Sequence, residues 1–343
     1  MLVYLGIYSA LALTAVGNYR RRNFLYFLVA GLFLVWFMGF RYETGCDYLA
    51  YLHRWTYYFP LANISETLQE DEAGFLLLMG LVQVSGLDFE WLNVTASVIL
   101  VLCYIRFASG HPYSPLILAL LFPVIIIQLG MSGIRQALAG AFLMLAFNAF
   151  SKKQKLMTAL LILIGMQFHT SVVIFLPFAF LAGREVNTMK LAASMAILGP
   201  IAAILVADRF ETYESRYIEN TVTSGGAVIR YALILLPVPI AIAYRDKLKK
   251  YFPDVYPLLK MGILTILALA PLVVLSSLAL HRLNFYVMPL SILLMTYTGA
   301  ILFKKQIHGH YLAAFIYGAY SLFWFLISKH ATLCYVPYQN TWL

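Results

Sequence analysis

The sequence is poor in charged residues. Asp, Glu, Lys and Arg make up 11% of its 343 residues, against about 25% in typical soluble domains. Hydrophobic residues reach 62%, and the mean hydropathy is +0.81. This composition excludes a soluble globular protein, and it excludes a disordered chain, which has few apolar residues and many charges.

Several functional signatures are missing. The three cysteines form no CxxC pair and no spacing typical of a metal site. The sequence has no GxxxxGK[ST] loop and no room for a nucleotide-binding domain, so this chain alone does not drive transport with ATP. We therefore expect no metal and no cofactor. The formal charge of +9 reports membrane topology, and we predict no nucleic-acid partner.

Long apolar runs recur along the whole chain. Most are 16–24 residues long, close to the length of a spanning helix. They lie at about 2–17, 24–40, 91–108, 113–130, 134–150, 156–182, 190–208, 228–244, 257–280, 285–303 and 311–328. The pattern predicts an all-α polytopic membrane protein, with one membrane domain over 1–343, about 11–13 transmembrane helices and short outer-face helices.

Two segments fit this pattern poorly. Residues 73–87 are apolar but short, and residues 156–182 contain Gly165, His169 and Pro177. The second stretch is either one long helix or two half-length helices that meet near His169. The sequence alone leaves both possibilities open.

Lysine positions set the predicted topology. Ten of the eleven lysines lie on the cytoplasmic side if residues 73–87 do not cross the whole membrane and residues 156–182 cross to the outer side and return. Both termini are then outside, and the outer segments are 41–72, 209–227 and 329–343. Arginines show no such bias, with six inside and seven outside, so the outer arginines serve another purpose than topology.

Polar and aromatic residues form six clusters, at 41–54, 130–136, 168–171, 213–220, 281–286 and 335–340. In the first, Asp47, Tyr51 and Arg54 share a face if the segment after Gly45 is helical. In the second, Arg135 begins a span, where an arginine by default indicates function. Structural explanations stay open: an aromatic belt, an arginine paired with a carboxylate, a histidine at a helix break or a surface helix.

The predicted topology brings Arg41, Arg135, Arg216, Arg282 and His169 to one membrane face. Guanidinium groups bind phosphate in a bidentate manner, so this set favours a diphosphate over a cation path. ATP is absent from the outer side, so an enzyme there must use an activated substrate. We therefore expect a lipid diphosphate.

At these residues the sequence resembles the EpsG-type family of polysaccharide polymerases, within the wider group of Wzy-like O-antigen polymerases. The resemblance covers nearly the whole chain and rests on segments 41–51, 72–75, 134–137 and 168–171, then on Arg282, Tyr286, Tyr335, Tyr338 and Asn340. One residue departs from the pattern: Cys46 stands where a small residue such as Thr is expected.

The resemblance implies a membrane glycosyltransferase of the C-type arrangement. It would join polyprenyl-diphosphate-linked oligosaccharide repeat units on the outer face of the cytoplasmic membrane. The growing chain would leave its lipid diphosphate as a sugar hydroxyl of the next unit attacks the anomeric carbon, with inversion and without a metal. Its partners would be the glycan donor and acceptor, membrane lipid, a flippase and a chain-length regulator.

Specific residues receive roles in this interpretation. Expected diphosphate ligands are Arg135, Arg282, Arg216 and Arg41, the last either binding a second diphosphate or orienting Asp47. The general base is His169, with Asp47 and Glu72 as second choices. Residues expected to bind or orient sugars are Tyr48, Tyr51, Gln136, Tyr217, Tyr286, Tyr338 and Asn340.

Three other functions compete with this one. An exporter or flippase of lipid-linked oligosaccharides would need polar residues throughout the bilayer depth, whereas these gather at one side. An O-antigen ligase would use similar chemistry on another acceptor. An acyltransferase would need its histidine near an inner-face donor. Cys46 and Cys334 both fall outside and either pair in an oxidising compartment or remain two thiols.

Overall fold

The computed structural model describes residues 1–17, 23–69, 72–183, 189 and 225–342. In these ranges the chain is helical and has no strand; one isolated antiparallel bridge pairs Arg41 with Asn340. The predictions made for Arg216, Tyr217, the run 190–208 and nearly all of the segment 209–227 lie outside the described residues.

The helices are numbered here in chain order. They are α1 (Leu2–Gly17), α2 (Phe24–Gly39), α3 (Tyr48–Tyr57), α4 (Ile64–Gln69), α5 (Ala73–Val84), α6 (Phe89–Ala108), α7 (Ser114–Leu121), α8 (Ile134–Ser151), α9 (Lys155–Met166), α10 (Pro177–Leu181), α11 (Gly225–Leu235), α12 (Pro237–Ala243), α13 (Arg245–Tyr251), α14 (Tyr256–Ala268), α15 (Leu272–Leu275), α16 (Ser277–Leu302), α17 (Gln306–Ile327) and α18 (Lys329–Tyr335). A π-helical segment, Phe122–Gly130, continues α7, and Thr170–Phe175 forms a 3₁₀ helix before α10.

The protein is an all-α polytopic membrane protein, as the sequence predicts. Among the described residues, six helical stretches are long and apolar enough to cross a membrane: Phe89–Ala108, Ile134–Ser151, Gly226–Ala243, Tyr256–Leu275, Ser277–Leu302 and Gln306–Ile327. Six shorter apolar stretches accompany them. Among these, α5 has 12 residues, which corresponds to about 18 Å and is shorter than the roughly 30 Å hydrocarbon core.

The stretch 156–182 is two half-length segments and not one long helix. Helix α9 ends at Met166, and the chain then returns through Thr170–Phe175 and α10, both of which pack against α9. The reversal falls at Gln167–His169. His169 therefore lies at the turn between two short segments.

The boundary between the runs 257–280 and 285–303 differs from the expectation. The structure breaks the chain at Ser276, whose side chain accepts a hydrogen bond from the N–H of Ala279 and so begins α16. His281 and Arg282 consequently lie within α16 and not between two helices. An N-terminal serine cap outweighed the charged pair as the helix boundary.

The described residues form two compact units. The first comprises Met1–Ala141, Gln167–His169 and Lys305–Leu343. In it α2 packs closely on α6, because Gly39 has no side chain: a Cβ there would lie 2.9 Å from Cα of Val94. Helix α1 packs against α7 and α17. The prediction of one membrane domain stays a prediction.

The second unit comprises Phe142–Met166 and Thr170–Lys304. Helix α16 forms the core of this unit, and 89% of the residues in its most apolar stretch are buried. The helix contacts α11, α12 and α14. Two buried polar side chains of α16 donate to neighbouring backbone: Asn284 to the carbonyl of Ala227 at 2.8 Å, and Ser291 to that of Ile234 at 2.9 Å.

Candidate functional site

The candidate site is centred on Glu72, which faces two other predicted site residues in the first unit. One carboxylate oxygen of Glu72 lies 2.5 Å from Nη1 of Arg135, and the other lies 3.9 Å from Nδ1 of His169. The Glu72 side chain is only 2% exposed, whereas that of Arg135 is 36% exposed. A single buried carboxylate is therefore paired with the cation and lies near the histidine.

Helix α5 holds Glu72 against the turn that carries His169. The N–H of Gly74 donates to the carbonyl of Gln167 at 2.9 Å. A Cβ on Gly74 would lie 2.8 Å from Cβ of Gln167, so this approach requires glycine. Glu72 itself has a positive φ of 65° immediately before the helix, a conformation that is uncommon for residues with side chains.

Arg135 lies in the first turn of α8, after the tight segment Gly130–Gly133. Its backbone N–H donates to the Tyr51 hydroxyl at 3.3 Å. The first N–H groups of a helix carry a partial positive charge, which adds to that of the guanidinium. The start of α8 is thus an electropositive point beside two acidic side chains, those of Glu72 and Asp47.

Asp47 precedes α3 and faces the same turn. The residue is exposed, but partial desolvation of its carboxyl raises the pKa, while the charge of Arg135 and a hydrogen bond from Ser132 lower it. Tyr51, one turn further along α3, is buried and carries the hydroxyl that binds the Arg135 backbone. Of the predicted face of Asp47, Tyr51 and Arg54, the first two are thus directed at the start of α8, whereas Arg54 is exposed.

Arg41 is enclosed in the protein and apart from this carboxylate cluster. It is 1% exposed and donates to the carbonyls of Met38 and Thr44 and, at 2.9 Å, to Oδ1 of Asn93. Burial lowers the pKa of its guanidinium to about 10, so the group stays charged at neutral pH. These contacts give Arg41 a structural role at the end of α2.

The C-terminal segment covers the region around Arg41. Cys46 and Cys334 form a disulfide, which settles the alternative that the sequence left open. The Tyr338 hydroxyl donates to the carbonyl of Phe37 and accepts from Nδ2 of Asn340, both at 2.9 Å. His330 lies close to both sulfurs, but the disulfide leaves no thiolate there for a metal.

Two further residues with predicted sugar contacts lie in the first unit. Tyr48 is buried, and its ring contacts those of Phe89 and Tyr42 at centroid distances of 5.3 Å and 6.2 Å. Gln136 is half-buried and follows Arg135 in the first turn of α8.

The second unit has its own polar group around α16. Tyr286 is fully buried, and its hydroxyl lies 3.0 Å from Oγ of Ser171. Arg282 is half-buried one turn earlier. Sequence reasoning assigned no role to Arg230, yet its guanidinium lies 4.1 Å from the centroid of the Phe285 ring and 3.3 Å from Nδ1 of His281. Its position at the start of an apolar run was the available signal.

Comparison with known proteins identifies the family. The family model described as EpsG family matches residues 24–340. The chain belongs to the EpsG family. The match includes every residue of the Glu72–Arg135–His169 cluster and supports a polymerase-like role in polysaccharide synthesis. No curated protein and no solved structure matches the chain.

Proposed function

We propose that this EpsG-family member polymerises polyprenyl-diphosphate-linked oligosaccharide repeat units into O-antigen or exopolysaccharide. The observation that carries the proposal is the position of Glu72 between Arg135 and His169. This arrangement joins a group suited to a phosphate oxygen and a group suited to a hydroxyl proton. Both are needed in a glycosyl transfer from a lipid diphosphate.

In the proposed reaction Arg135 stabilises the leaving group. The bond between the anomeric carbon and the diphosphate oxygen breaks, and negative charge develops on that oxygen. A preorganised guanidinium at a helix N-terminus stabilises this charge where water is scarce. Because the diphosphate is already a good leaving group, no acid has to protonate it.

The cluster alone is not positive enough for a diphosphate. Within the part of the chain that the structure describes, it contains the carboxylates of Glu72 and Asp47 and the guanidinium of Arg135. The proposal therefore requires further positively charged side chains, and the candidates from the sequence are Arg282 and Arg216. Arg282 belongs to the second unit and Arg216 lies outside the described residues, so both assignments stay predictions.

His169 is the proposed general base. It takes the proton of the acceptor hydroxyl while that oxygen bonds to the anomeric carbon, and one in-line displacement inverts the centre. Nδ1 of His169 lies 3.9 Å from a carboxylate oxygen of Glu72, beyond hydrogen-bond distance. In the proposed reaction this contact tightens to a carboxylate–histidine pair when substrate binds, and Nε2 is then the basic nitrogen. Asp47, with its raised pKa, is the second candidate.

We place the protein in the cytoplasmic membrane with this site on the outer side. The bias of ten lysines to one supports that orientation. Glu72 immediately precedes the apolar helix α5 and Arg135 lies in the first turn of α8, so neither is in the middle of a helix, which supports a site near a membrane surface.

The test is a polymerisation assay with purified full-length protein in detergent. The substrate is the polyprenyl-diphosphate-linked repeat unit of the source cell, with and without EDTA. We expect a ladder of multiples that survives EDTA. Loss of the ladder in EDTA and its recovery with Mg²⁺ would contradict metal independence.

Variants connect the activity to the site. Arg135→Ala, Glu72→Gln and His169→Ala are each expected to lower the rate at least 100-fold. Arg54→Ala is the matched control, because Arg54 is an exposed arginine on α3 in the same outer segment. A ladder that persists in all three variants would overturn the site. Transfer of the lipid across liposomes without any ladder would replace the polymerase with an exporter.

A further inference from the structure

A concave surface lies in the first unit, and none of its lining residues belongs to the Glu72–Arg135–His169 cluster. Its volume is about 600 Å³, and it is lined by Tyr42, Glu90, Tyr338, Gln339, Asn340 and Thr341. Ligand clefts typically measure about 300–1,000 Å³. We refer to this surface as the C-terminal groove.

We propose that the C-terminal groove is an oligosaccharide-binding subsite, which holds sugars of the glycan chain beyond those that react. This inference rests on the proposed function, since it takes its ligand class from the polymer that the protein would make. At this subsite the protein would recognise the sugars alone, without the lipid or the diphosphate.

The walls of the groove are held by backbone hydrogen bonds between distant parts of the chain. The N–H of Tyr42 donates to the carbonyl of Gln339 at 3.0 Å, and that of Thr341 to Phe40 at 2.9 Å. The Cys46–Cys334 disulfide lies next to this pairing. A cleft formed in advance loses little conformational entropy on binding, which suits a weakly interacting ligand such as a sugar chain.

The lining residues divide into a floor and an accessible rim. Tyr338 and Asn340 hydrogen-bond to each other and, through Tyr338, to the carbonyl of Phe37, so they build the floor. Tyr42 is 43% exposed, Gln339 is exposed and Glu90 is half-buried. The rim thus offers an aromatic ring, an amide and a carboxylate.

This set of groups matches a sugar better than a phosphate. An aromatic ring packs on the C–H face of a pyranose, and its hydroxyl stays polar. The amide both donates and accepts hydrogen bonds, and the carboxylate accepts them from hydroxyl groups. None of the six lining residues that the structure describes is Lys or Arg, and Glu90 would repel a diphosphate. The groove is therefore unsuited to the lipid-linked end of the substrate.

Helix α3 connects the groove with the reaction site. Tyr48 begins this helix and contacts the ring of Tyr42, which lines the groove. Tyr51, one turn later, binds the backbone of Arg135. The two sites thus share one ten-residue helix, as expected for subsites that hold different parts of one glycan.

The test is direct binding of a glycan that lacks any lipid. The probe is the single repeat unit prepared by depolymerising the surface polysaccharide of the source cell, titrated into full-length protein by calorimetry. We expect Tyr42→Ala and Glu90→Gln each to raise Kd at least 10-fold. Tyr57→Ala and Glu66→Gln are matched controls at exposed positions outside the groove, and they should keep the wild-type Kd. Gel filtration and melting temperature verify that each variant is folded.

The two proposals can fail separately. Arg135→Ala should bind the free repeat unit with wild-type Kd although it forms no ladder. Wild-type protein that forms a ladder but does not bind the free repeat unit would overturn the groove alone. Binding to the groove by a protein that never forms a ladder from its native substrate would overturn the polymerase alone. Equal losses of affinity in Tyr42→Ala and Tyr57→Ala would also overturn the groove.

Discussion

Gly45 approaches Met131 so closely that a Cβ on Gly45 would lie 1.9 Å from the carbonyl oxygen of Met131. Gly45 also has a φ of +107°, in the region that favours glycine. The segment that carries Asp47 therefore touches the turn before Arg135 backbone to backbone. This contact fixes the distance between an acidic and a basic residue of the candidate site.

Substitution of Gly45 should damage the fold and the site together. Gly45→Ala must move one of two backbone segments, so we expect the apparent melting temperature to fall by several degrees and the ladder to weaken. The control is Gly86→Ala, because Gly86 also has a positive φ (+70°) but would meet nothing within 4 Å. In Gly86→Ala only the backbone strain at positive φ should lower the free energy of unfolding, by about 1 kcal/mol. Equal effects in both variants would show that the Met131 contact is unimportant.

The sequence predicted the membrane helices well because their apolar runs are long and uninterrupted. It failed at local decisions, such as the start of α16, where the side chain of Ser276 sets the boundary and the charges at His281 and Arg282 do not. For the stretch 156–182 it left open one long helix or two half-length segments, and the structure shows the second. Hydropathy measures average composition, whereas helix ends depend on single hydrogen bonds.

The sequence indicated which residues belong to the candidate site, but it did not show which of them contact each other. The sequence offered both Asp47 and Glu72 as partners for Arg135, and the structure pairs it with Glu72. Arg41 and Arg135 both lie beside an apolar run, and the role expected for Arg41 is either to bind a second diphosphate or to orient Asp47. The burial of Arg41 depends on Asn93, 52 residues away on α6, which no local pattern reveals.

Arg41 and Arg135 should respond oppositely to the same conservative change. Lysine cannot reproduce the three contacts of the buried Arg41 guanidinium, so Arg41→Lys should lower the melting temperature and the yield. Arg135→Lys keeps a charge near Glu72 on a half-exposed side chain, so it should leave the melting temperature nearly unchanged and lower the rate of ladder formation about 10-fold or more. Thermal unfolding and the polymerisation assay on both variants check this. A stable Arg41→Lys protein would contradict the structural role.

Asp47 should cost a small amount of stability at neutral pH. Desolvation raises the folded-state pKa of its carboxyl, so the folded protein binds more protons than the unfolded chain between the two pKa values, but the side chain is exposed and solvent keeps the effect small. Stability is then greatest below the unfolded pKa, about 3.9, and falls as the pH rises through the folded pKa. Asp47→Asn removes this loss while it can still accept a hydrogen bond from Ser132.

We therefore expect Asp47→Asn to melt at a higher temperature than wild type at pH 7.5. The difference should shrink toward pH 4, and ladder formation should fall at both values. Melting curves across this range test the sign. A destabilised Asp47→Asn at pH 7.5 would show that Arg135 outweighs burial in setting this pKa.

The Cys46–Cys334 disulfide joins residues 288 positions apart, and it ties the segment before α3 to α18. The N–H of Gly45 also donates to the carbonyl of Cys334 at 2.7 Å, so the crosslink and the backbone hold the same two segments. Closing so long a loop constrains the unfolded chain strongly, and removal of such a bond typically costs about 2–5 kcal/mol. Cys46 immediately precedes Asp47, and Cys334 lies four residues before Tyr338, which lines the C-terminal groove.

Removing this bond should therefore lower both stability and activity. We expect the double variant Cys46→Ser, Cys334→Ser to melt several degrees below wild type and to form a weaker ladder. A phosphine reductant should bring wild type to the level of the double variant and leave the double variant unchanged. Cys103→Ala is the control, because Cys103 is a buried free thiol and its variant should keep the response to reductant. Two results together would contradict the pairing: the reductant leaves wild-type protein unchanged, and non-reducing mass spectrometry shows both sulfurs free. The stability would then come from the backbone contacts alone.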